Sequence, residues 1–333
     1  MLLGGLSTTQ SQDLHFSQFT MTPLLVNPAQ TGSQHDLRAI MNYKSQWSSI
    51  AEPYKTYNFS FDVSMKKKKG KKGFSAMGLN IFNDKAGNAK MGIFQGNLTY
   101  AYHVFLTDKS TLGGGLYAAF GQRSLNSNTL QWGNQYDGMS YNPNLLSGEP
   151  VSNNFTYFDI GGGVHWKYGE NEKYMTGNDQ RDFNAGIAVF HVNQPKYSFY
   201  DTGDKLHMKE VVYANALIGI SNTKFSVVPG IIYSMQGKAN ELLLGSLFRY
   251  QFKESSKYTS FVKGASISTG LYYRNSDAVI ACILYEFSKC AIGVSYDVNL
   301  SGLKTASNGN GGIEISLRFI TPNPFNYSKS RYH

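Results

Sequence analysis

The ionisable side chains that could do chemistry are spread along the chain rather than grouped in short motifs. The carboxylates Asp159, Asp297 and Glu314 each occupy a polar position in a segment where polar and apolar residues alternate. A pair of such carboxylates could serve as general acid and base, but carboxylates on an enclosed polar face more commonly form ion pairs. We expect ion pairs here, with partners among the arginines Arg38, Arg249, Arg274 and Arg318.

Other kinds of catalytic chemistry have little support in the sequence. The seven histidines are scattered from His15 to His333 and show none of the short His/Cys spacings of metal sites. Glycine runs at residues 113–115 and 161–163 could approach a phosphate, but no P-loop Lys-Ser/Thr pair follows them. No G-x-S-x-G nucleophile elbow is present. The sequence therefore predicts a protein that is not an enzyme and that holds no metal or cofactor.

The elements that carry these side chains are predicted to be β-strands. Between residues 37 and 319, apolar residues recur at every second position, which is the period of a strand. In residues 94–106, for example, Phe, Leu, Tyr and Val alternate with Gln, Asn, Thr and His. No long helical pattern separates the strands, which excludes a parallel βαβ architecture. About fourteen such segments, most near the ~9–11 residues that cross a bilayer at a tilt, begin near residues 37, 54, 73, 92, 110, 154, 181, 210, 223, 240, 264, 276, 289 and 311.

The connections between these segments are of two kinds. Three tight connections follow even-numbered strands, at residues 107–110, 222–223 and 288–289, whereas the 2–3, 6–7 and 10–11 connections are longer and the outer connection at residues 275–276 is very short. Long connections follow odd-numbered strands, at residues 124–153, 193–209 and 299–310. Outer-membrane barrels have short periplasmic turns and longer outer loops. We therefore predict a transmembrane antiparallel up-and-down β-barrel of about 14 strands over residues 37–320, with a periplasmic N-terminus and a C-terminal tail at residues 321–333.

A soluble β-sandwich is the competing fold, because it also alternates polar and apolar residues. Its outer face should be charged, whereas charged residues make up only 16% of this chain and the polar face is rich in Asn, Ser, Gly and Gln. Aromatic residues make up 14% and lie near segment ends, as in the aromatic girdles of membrane barrels. The longest apolar run, residues 278–285, is far short of the ~20 residues of a transmembrane helix. These features favour the barrel.

Two further features concern charge and cysteine. The net charge of +9 comes largely from a lysine-rich run at residues 66–72. This run could bind phosphates or anionic lipid head groups, but a solvated hairpin turn is favoured, because the run lies between two strand segments and contains no aromatic residue. Cys282 and Cys290 are predicted to lie on adjacent strands and opposite faces, so we expect no disulfide.

Two segments precede the predicted barrel. Residues 1–11 contain a short apolar stretch followed by small polar residues, and we interpret them as the remnant of a signal peptide. Residues 12–36 are too irregular for a strand, and Pro23, Pro28 and Gly32 are expected to interrupt both helix and sheet. We expect this plug-like segment to fold into or under the lumen. It could act in docking or gating, or it could be a passive plug that satisfies polar groups.

Motifs along nearly the whole chain resemble those of the PorP/SprF family, which belongs to the type IX secretion and gliding system of Bacteroidetes. The opening carries QDLHFSQF at residues 12–19, PLLVNPAQTG at residues 23–32 and YKSQW at residues 43–47. Gln30 and the lysine-rich run depart from the family pattern. Later motifs follow in order: NDKAG at residues 83–87, FHVNQP at 190–195, YYRNSDAVI at 272–280, YDVNLS at 296–301 and EISL at 314–317.

The resemblance implies a non-enzymatic outer-membrane component that serves the export of large surface proteins. In gliding members the exported partner is an adhesin encoded beside the barrel protein, and periplasmic ring and motor components are further implied partners. The barrel would contact outer-membrane lipid, and no nucleic-acid partner is expected. Within the opening motifs, the residues expected to dock or plug are Asp13, Phe16, Ser17, Gln18, Asn27 and Pro28.

We hypothesise that outer loops or the barrel rim bind the C-terminal signal domain of the exported protein. Exposed aromatic residues suit such a contact surface, although they could equally fold back as a lid over the lumen. A solute channel or porin with an open lumen, and a purely structural surface protein, are the alternative functions. The connection at residues 124–153 supplies the candidate contact residues Leu125, Leu130, Trp132, Tyr136, Met139 and Tyr141.

Overall fold

The computed structural model describes residues 13–46, 53–65, 72–87, 89–170, 178–200, 203–253, 264–300 and 309–321. The signal-like residues 1–11, residues 66–71 of the lysine-rich run and residues 322–333 of the tail lie outside the described residues, so the predictions made for them stay predictions. Among the residues that are described, no helix is long and apolar enough to cross a membrane.

Fourteen strands pair in antiparallel fashion and form one closed barrel. They are β1 (Leu37–Gln46), β2 (Tyr54–Met65), β3 (Gly73–Ala86), β4 (Met91–Phe105), β5 (Ser110–Ser124), β6 (Asn154–Glu170), β7 (Arg181–Phe190), β8 (Lys209–Gly219), β9 (Phe225–Gln236), β10 (Ala239–Lys253), β11 (Ala265–Arg274), β12 (Ala278–Phe287), β13 (Cys290–Asn299) and β14 (Asn310–Thr321). β1 closes the barrel on β14, with Leu37 opposite Thr321. The predicted barrel of fourteen strands is confirmed.

Side chains alternate between an outward apolar surface and an enclosed polar interior. On β4, Leu98 is 66% exposed, whereas its neighbour Asn97 is buried. Cys282 is buried on the interior face of β12, and Cys290 lies on the outward face of β13; both are free thiols. This alternation follows from the strand itself, because successive side chains point to opposite faces.

The two ends of the barrel differ in their connections. The long connections β5–β6 and β7–β8 lie at one end, which we name the long-loop end. The short connections β4–β5, β8–β9 and β12–β13 lie at the other, the tight-turn end, although β9–β10 and β11–β12 at the long-loop end are also short. β1 begins at the tight-turn end.

Residues 13–36 lie inside the barrel, and we name them the plug. The plug contains the short helix α1 (Pro23–Val26) and a 3₁₀ turn at Pro28–Gln30. Pro23 and Pro28 were expected to interrupt helical structure, but each instead begins a helical turn. The physical reason is that the first helical position needs no N–H donor and suits the fixed φ of proline.

The plug runs the length of the lumen. Asp13 lies at the long-loop end, where its carboxylate contacts His191, the residue that follows β7. Near the tight-turn end, the amide of Gly32 donates to Asp62 on β2 at 2.7 Å. Between these points, Ala29 packs against Gly115 of β5 so closely that a Cβ on the glycine would lie 2.6 Å from the Ala29 Cα. The chain therefore crosses the lumen from the long-loop end before it enters β1.

The wall is irregular between β6 and β7. β7 pairs only with residues 162–170 of β6. Farther along β6, the segment after β7 takes over the pairing: the amide of Val192 donates to the Ile160 carbonyl at 3.0 Å. The side chain of Asn193 donates to the Phe158 carbonyl at 2.7 Å and accepts from the Ile160 amide at 3.2 Å. A side-chain amide thus takes the place of a strand residue.

Candidate functional site

Two residues of the N-terminal motif, Ser17 and Gln18, attach the plug to the wall. Their backbone amides donate to the two carboxylate oxygens of Glu314, at 2.8 and 3.1 Å. The Ser17 hydroxyl donates to Asp297 at 2.8 Å and accepts from the Arg274 guanidinium at 2.5 Å. Arg274 and Asp297 also form an ion pair of 3.1 Å. Residues from the plug and from three strands thus form one buried cluster.

Two other interior charges have partners that the sequence did not indicate. Arg38 pairs with Asp62 at 2.8 Å, and Glu314 pairs with Lys44 at 3.0 Å. The expected arginine partner of Glu314 is therefore corrected to a lysine, because closure of the barrel puts Lys44 of β1 directly opposite Glu314. The Lys44 ammonium also lies 6.0 Å from the ring centroid of the buried Phe16, so a further motif residue joins this cluster.

Arg249 and Arg318 share the carboxylate of Glu286, at 3.3 and 2.5 Å. The hydroxyl of Ser266 accepts from Arg249 at 3.0 Å and donates to Glu286 at 3.2 Å. This cluster lines a cavity of about 840 Å³ that reaches Lys289 in the β12–β13 turn. The cavity therefore lies on the tight-turn side of the plug.

Asp159 contacts a histidine rather than an arginine. Nδ1 of His191 lies 2.8 Å from Asp159 and Nε2 lies 2.5 Å from Asp13, so one imidazole bridges the wall and the plug. Tyr117 donates its hydroxyl to the same Asp159 oxygen at 2.5 Å. Burial by itself lowers the pKa of His191, but the carboxylates of Asp13 and Asp159 outweigh burial and raise this pKa to about 9. Burial by itself raises the pKa of Asp13, but His191 and Lys209 hold it well below its usual range.

Asn27 holds the middle of the plug through hydrogen bonds between its side chain and backbone groups. Asn27 is fully buried, and its side-chain amide donates to the carbonyls of Val164 and Ile187 at 2.9 and 3.1 Å. Its Oδ1 accepts from the Ala29 amide at 2.8 Å and so caps the turn that Pro28 begins. Asn27 therefore fixes the middle of the plug to β6 and β7.

The loop at residues 124–153 lies at the long-loop end and is held together by internal hydrogen bonds. The side chain of Gln135 is buried within it, accepts from the Trp132 amide at 3.2 Å and donates to the Leu145 carbonyl at 3.1 Å. These two bonds tie the loop's two halves together.

The apolar residues of this loop are exposed to different degrees. Met139 is 92% exposed and Tyr136 is 60% exposed, and Tyr141 is bridged to Tyr136 by a short β-pairing. Leu146, which the sequence analysis did not single out, is 90% exposed. The other three candidates are half-buried: Leu125, Leu130 and Trp132. The contact role of the six residues stays a prediction.

Several residues at these contacts were not singled out from the sequence, namely Lys44, Asp62, His191 and Glu286. Their polar positions in alternating segments, or in the motif at residues 190–195, were the available signals. Within the described parts of the chain, no group of three or more His, Cys, Asp and Glu side chains is placed to hold a metal ion. The paired charges at these contacts hold the plug in place against the barrel wall.

The closed barrel, its apolar outer surface and its polar interior define an outer-membrane β-barrel protein. The family model described as "Type IX secretion system membrane protein PorP/SprF" matches residues 8–319. The chain therefore belongs to the PorP/SprF family, and it is an outer-membrane component of the type IX secretion system. No curated protein matches the chain.

Solved structures of outer-membrane barrels resemble this chain in fold. The deltaS2S3 mutant of the monoaromatic hydrocarbon channel TodX has a TM-score of 0.48 at 10% identity, over 90% of this chain and 94% of that one. A Pseudomonas aeruginosa FadL homologue has a TM-score of 0.45 at 10% identity, over 88% and 92%. The monoaromatic hydrocarbon channel CymD has a TM-score of 0.43 at 12% identity, over 92% and 94%. These similarities concern the fold alone.

Proposed function

We propose that this protein retains a secreted surface protein at the outer membrane by binding its C-terminal domain at the long-loop end. In this proposal the long loops face the cell exterior and the tight turns face the periplasm, which is the usual arrangement of outer-membrane barrels. An adhesin is the proposed cargo, as the family resemblance implies for gliding members. The periplasmic ring and motor components would then meet the tight-turn end.

The observation that carries this proposal is the apolar surface of the loop at residues 124–153. Met139 and Leu146 are 92% and 90% exposed. The Asp137 carboxylate accepts from the amides of Met139 and Ser140 at 2.9 and 2.8 Å, so the tip is a fixed turn. Apolar side chains presented from an ordered loop are typical of a protein contact surface.

The plug supports a binding protein over a solute channel. It is bonded to the wall from Asp13 to Gly32, along the length of the lumen. The cavity on the tight-turn side ends against the plug residues Phe19 and Gln30. A porin needs a continuous aqueous path through the barrel, so we propose that this lumen does not conduct.

Affinity purification of the tagged protein from gently solubilised membranes, followed by mass spectrometry, tests the proposed function. We expect the wild type to retain a large surface protein through its C-terminal domain. The double variant M139S/L146S should retain about tenfold less, because truncation of an apolar anchor commonly costs more than about 1 kcal/mol of binding free energy.

A matched control is L106S in the β4–β5 turn, where Leu106 is 55% exposed at the opposite end of the barrel. This variant should retain the surface protein as the wild type does. Equal retention by M139S/L146S and the wild type would contradict a role for the loop. A wild type that retains no surface protein would contradict the proposed function itself.

A further inference from the structure

The long-loop half of β6 has an edge that no other strand covers. Residues 154–161 pair with β5, whereas β7 pairs only with residues 162–170. The N–H and C=O of one residue in an antiparallel strand point to the same side. Val192 and Asn193 bond to both groups of Ile160, so the even-numbered residues of this half of β6 direct their backbone groups away from β5.

Between Ile160 and Ser152 this edge is open, and at Ser152 the segment after β7 returns to it, since the Ser152 amide donates to the Phe199 carbonyl at 2.9 Å. The amide of Phe158, and both the amide and the carbonyl of Thr156, have no hydrogen-bond partner within the described part of the chain. Both residues are exposed. At the end of the strand, the Asn154 carbonyl accepts only the Ser152 hydroxyl, at 2.8 Å. A row of open backbone groups is a template for pairing with another chain, and natural proteins usually cover it.

We propose that an extended segment of the retained surface protein adds to β6 as a strand, pairing with Thr156 and Phe158. This inference rests on the proposed function, because it names the part of the barrel that the retained protein contacts. Strand addition supplies affinity through main-chain hydrogen bonds and specificity through alternate side chains. A lipid chain has no donor or acceptor for these groups, so the open amides favour a peptide.

Two observations fit an added strand at this place. The Asn193 side-chain amide donates to the Phe158 carbonyl and accepts from the Ile160 amide, so it already makes bonds of the kind that an added strand would make with this edge. The edge is also continuous with the loop at residues 124–153. The amide of Leu125 donates to the Asn153 carbonyl at 2.8 Å, which extends the β5–β6 pairing into this loop. Phe158, 56% exposed, offers the added strand an aromatic neighbour.

A pair of substitutions at Thr156 tests the inference. Thr156→Pro removes the amide donor that faces the open edge and leaves the pairing with β5 intact, because this amide points away from β5. Thr156→Ala keeps the amide and removes only side-chain atoms. Heat-modifiable electrophoretic mobility checks that both barrels assemble. We expect T156P to retain about tenfold less surface protein than the wild type, as loss of one hydrogen bond can cause, and T156A to retain as much.

Photo-crosslinking provides a second measurement that decides the question if T156P does not assemble. The photoreactive residue is placed by Phe158→p-benzoylphenylalanine at the edge and by Phe120→p-benzoylphenylalanine on β5. Phe120 lies directly opposite Phe158 and is 58% exposed, so it is a matched control. We expect the retained surface protein to crosslink from position 158 and not from position 120.

The outcomes separate this inference from the proposed function. Equal retention by an assembled T156P and the wild type, or equal crosslinking from positions 158 and 120, overturns strand addition while the retention itself stands. A wild type that retains no surface protein overturns both.

Discussion

At the scale of the residue, the polar interior is stable because its buried charges are paired across neighbouring strands. The side chains of Arg38 and Asp62 are only 2% and 1% exposed, and those of Lys44 and Glu314 only 1% and 2%. Removing one partner of such a pair leaves an uncompensated buried charge, which costs about 3–5 kcal/mol. Each interior charge therefore constrains the residue opposite it.

The contact of His191 with Asp13 should make stability depend on pH. The raised pKa of His191, about 9, means that its charged form contributes fully below its ordinary pKa of about 6.5. This contribution is lost as the pH rises through about 9. The lowered pKa of Asp13 keeps its contribution throughout this window. We expect the thermal unfolding midpoint of the purified barrel to fall as the pH rises from about 6.5 to about 9.

Two variants check the assignment of this pH dependence. H191Q should lower the free energy of unfolding by about 1–3 kcal/mol near neutral pH and should lack the decline between about pH 6.5 and about pH 9. H207Q, a substitution in the same connection, should keep the wild-type profile. A decline in H191Q equal to that of the wild type would assign the titration to another group.

At the scale of the element, the plug is held by the shape of the wall as well as by charge. The wall glycine Gly115 faces Ala29, and its neighbour Gly114 faces outward with nothing within 4 Å of the place a Cβ would occupy. Two adjacent glycines of β5 therefore have different environments. Only the inward one makes room for the plug.

This difference predicts unequal effects of the same substitution. G115A should destabilise the seated plug by about 1–3 kcal/mol, because its Cβ would lie 2.6 Å from the Ala29 Cα and a packed interior tolerates such crowding poorly. G114A should leave stability nearly unchanged. Limited proteolysis of the plug and the thermal unfolding midpoint measure the effect. Equal responses of the two variants would contradict close packing at Gly115.

At the scale of the whole molecule, the plug puts the two ends of the N-terminal segment on opposite sides of the barrel. β1 begins at the tight-turn end, but Asp13 lies at the long-loop end, bonded to Gln236 and His191. In the proposed orientation, with the long loops outward, Asp13 lies on the outer side of the membrane. The periplasmic N-terminus stays a prediction. The path of the plug through the lumen, and not the number of strands, then sets the side of the membrane on which residue 13 lies.

Epitope accessibility on intact cells measures this arrangement. An epitope inserted directly before Asp13 should be as accessible as one in the loop at residues 124–153. An epitope at residues 222–223, in the β8–β9 turn, should be accessible only after the outer membrane is permeabilised. An epitope before Asp13 that behaves like the one in the turn would contradict the path of the plug.

Conductance in a planar bilayer measures whether the plug closes the lumen. We expect the wild type to conduct little, because the plug is bonded to the wall along its length. Deletion of residues 13–31 should open the lumen in barrels that still show heat-modifiable mobility. Deletion of residues 134–147, within the loop at residues 124–153, is the control and should leave conductance low. Steady open-channel conductance of the wild type would favour the channel function.

The number of strands, their approximate bounds and the face on which each side chain lies can all be predicted from the amino-acid pattern. Asp159 and Asp297 could be assigned to the interior, and Leu98 to the outside. The reason is that alternation with a period of two is a local property of a strand and is read from a few consecutive residues. The positions of tight and long connections followed from the same pattern.

Which side chains contact each other depends on the closed barrel and could not be predicted from the pattern. Glu314 pairs with Lys44 because the last strand closes on the first, and Asp13 reaches His191 across 178 residues of chain. The open edge of β6 exists because β7 is shorter than its neighbour, with 10 residues against 17. Closure, register and the path of the plug are set by the whole barrel at once, so no local pattern contains them.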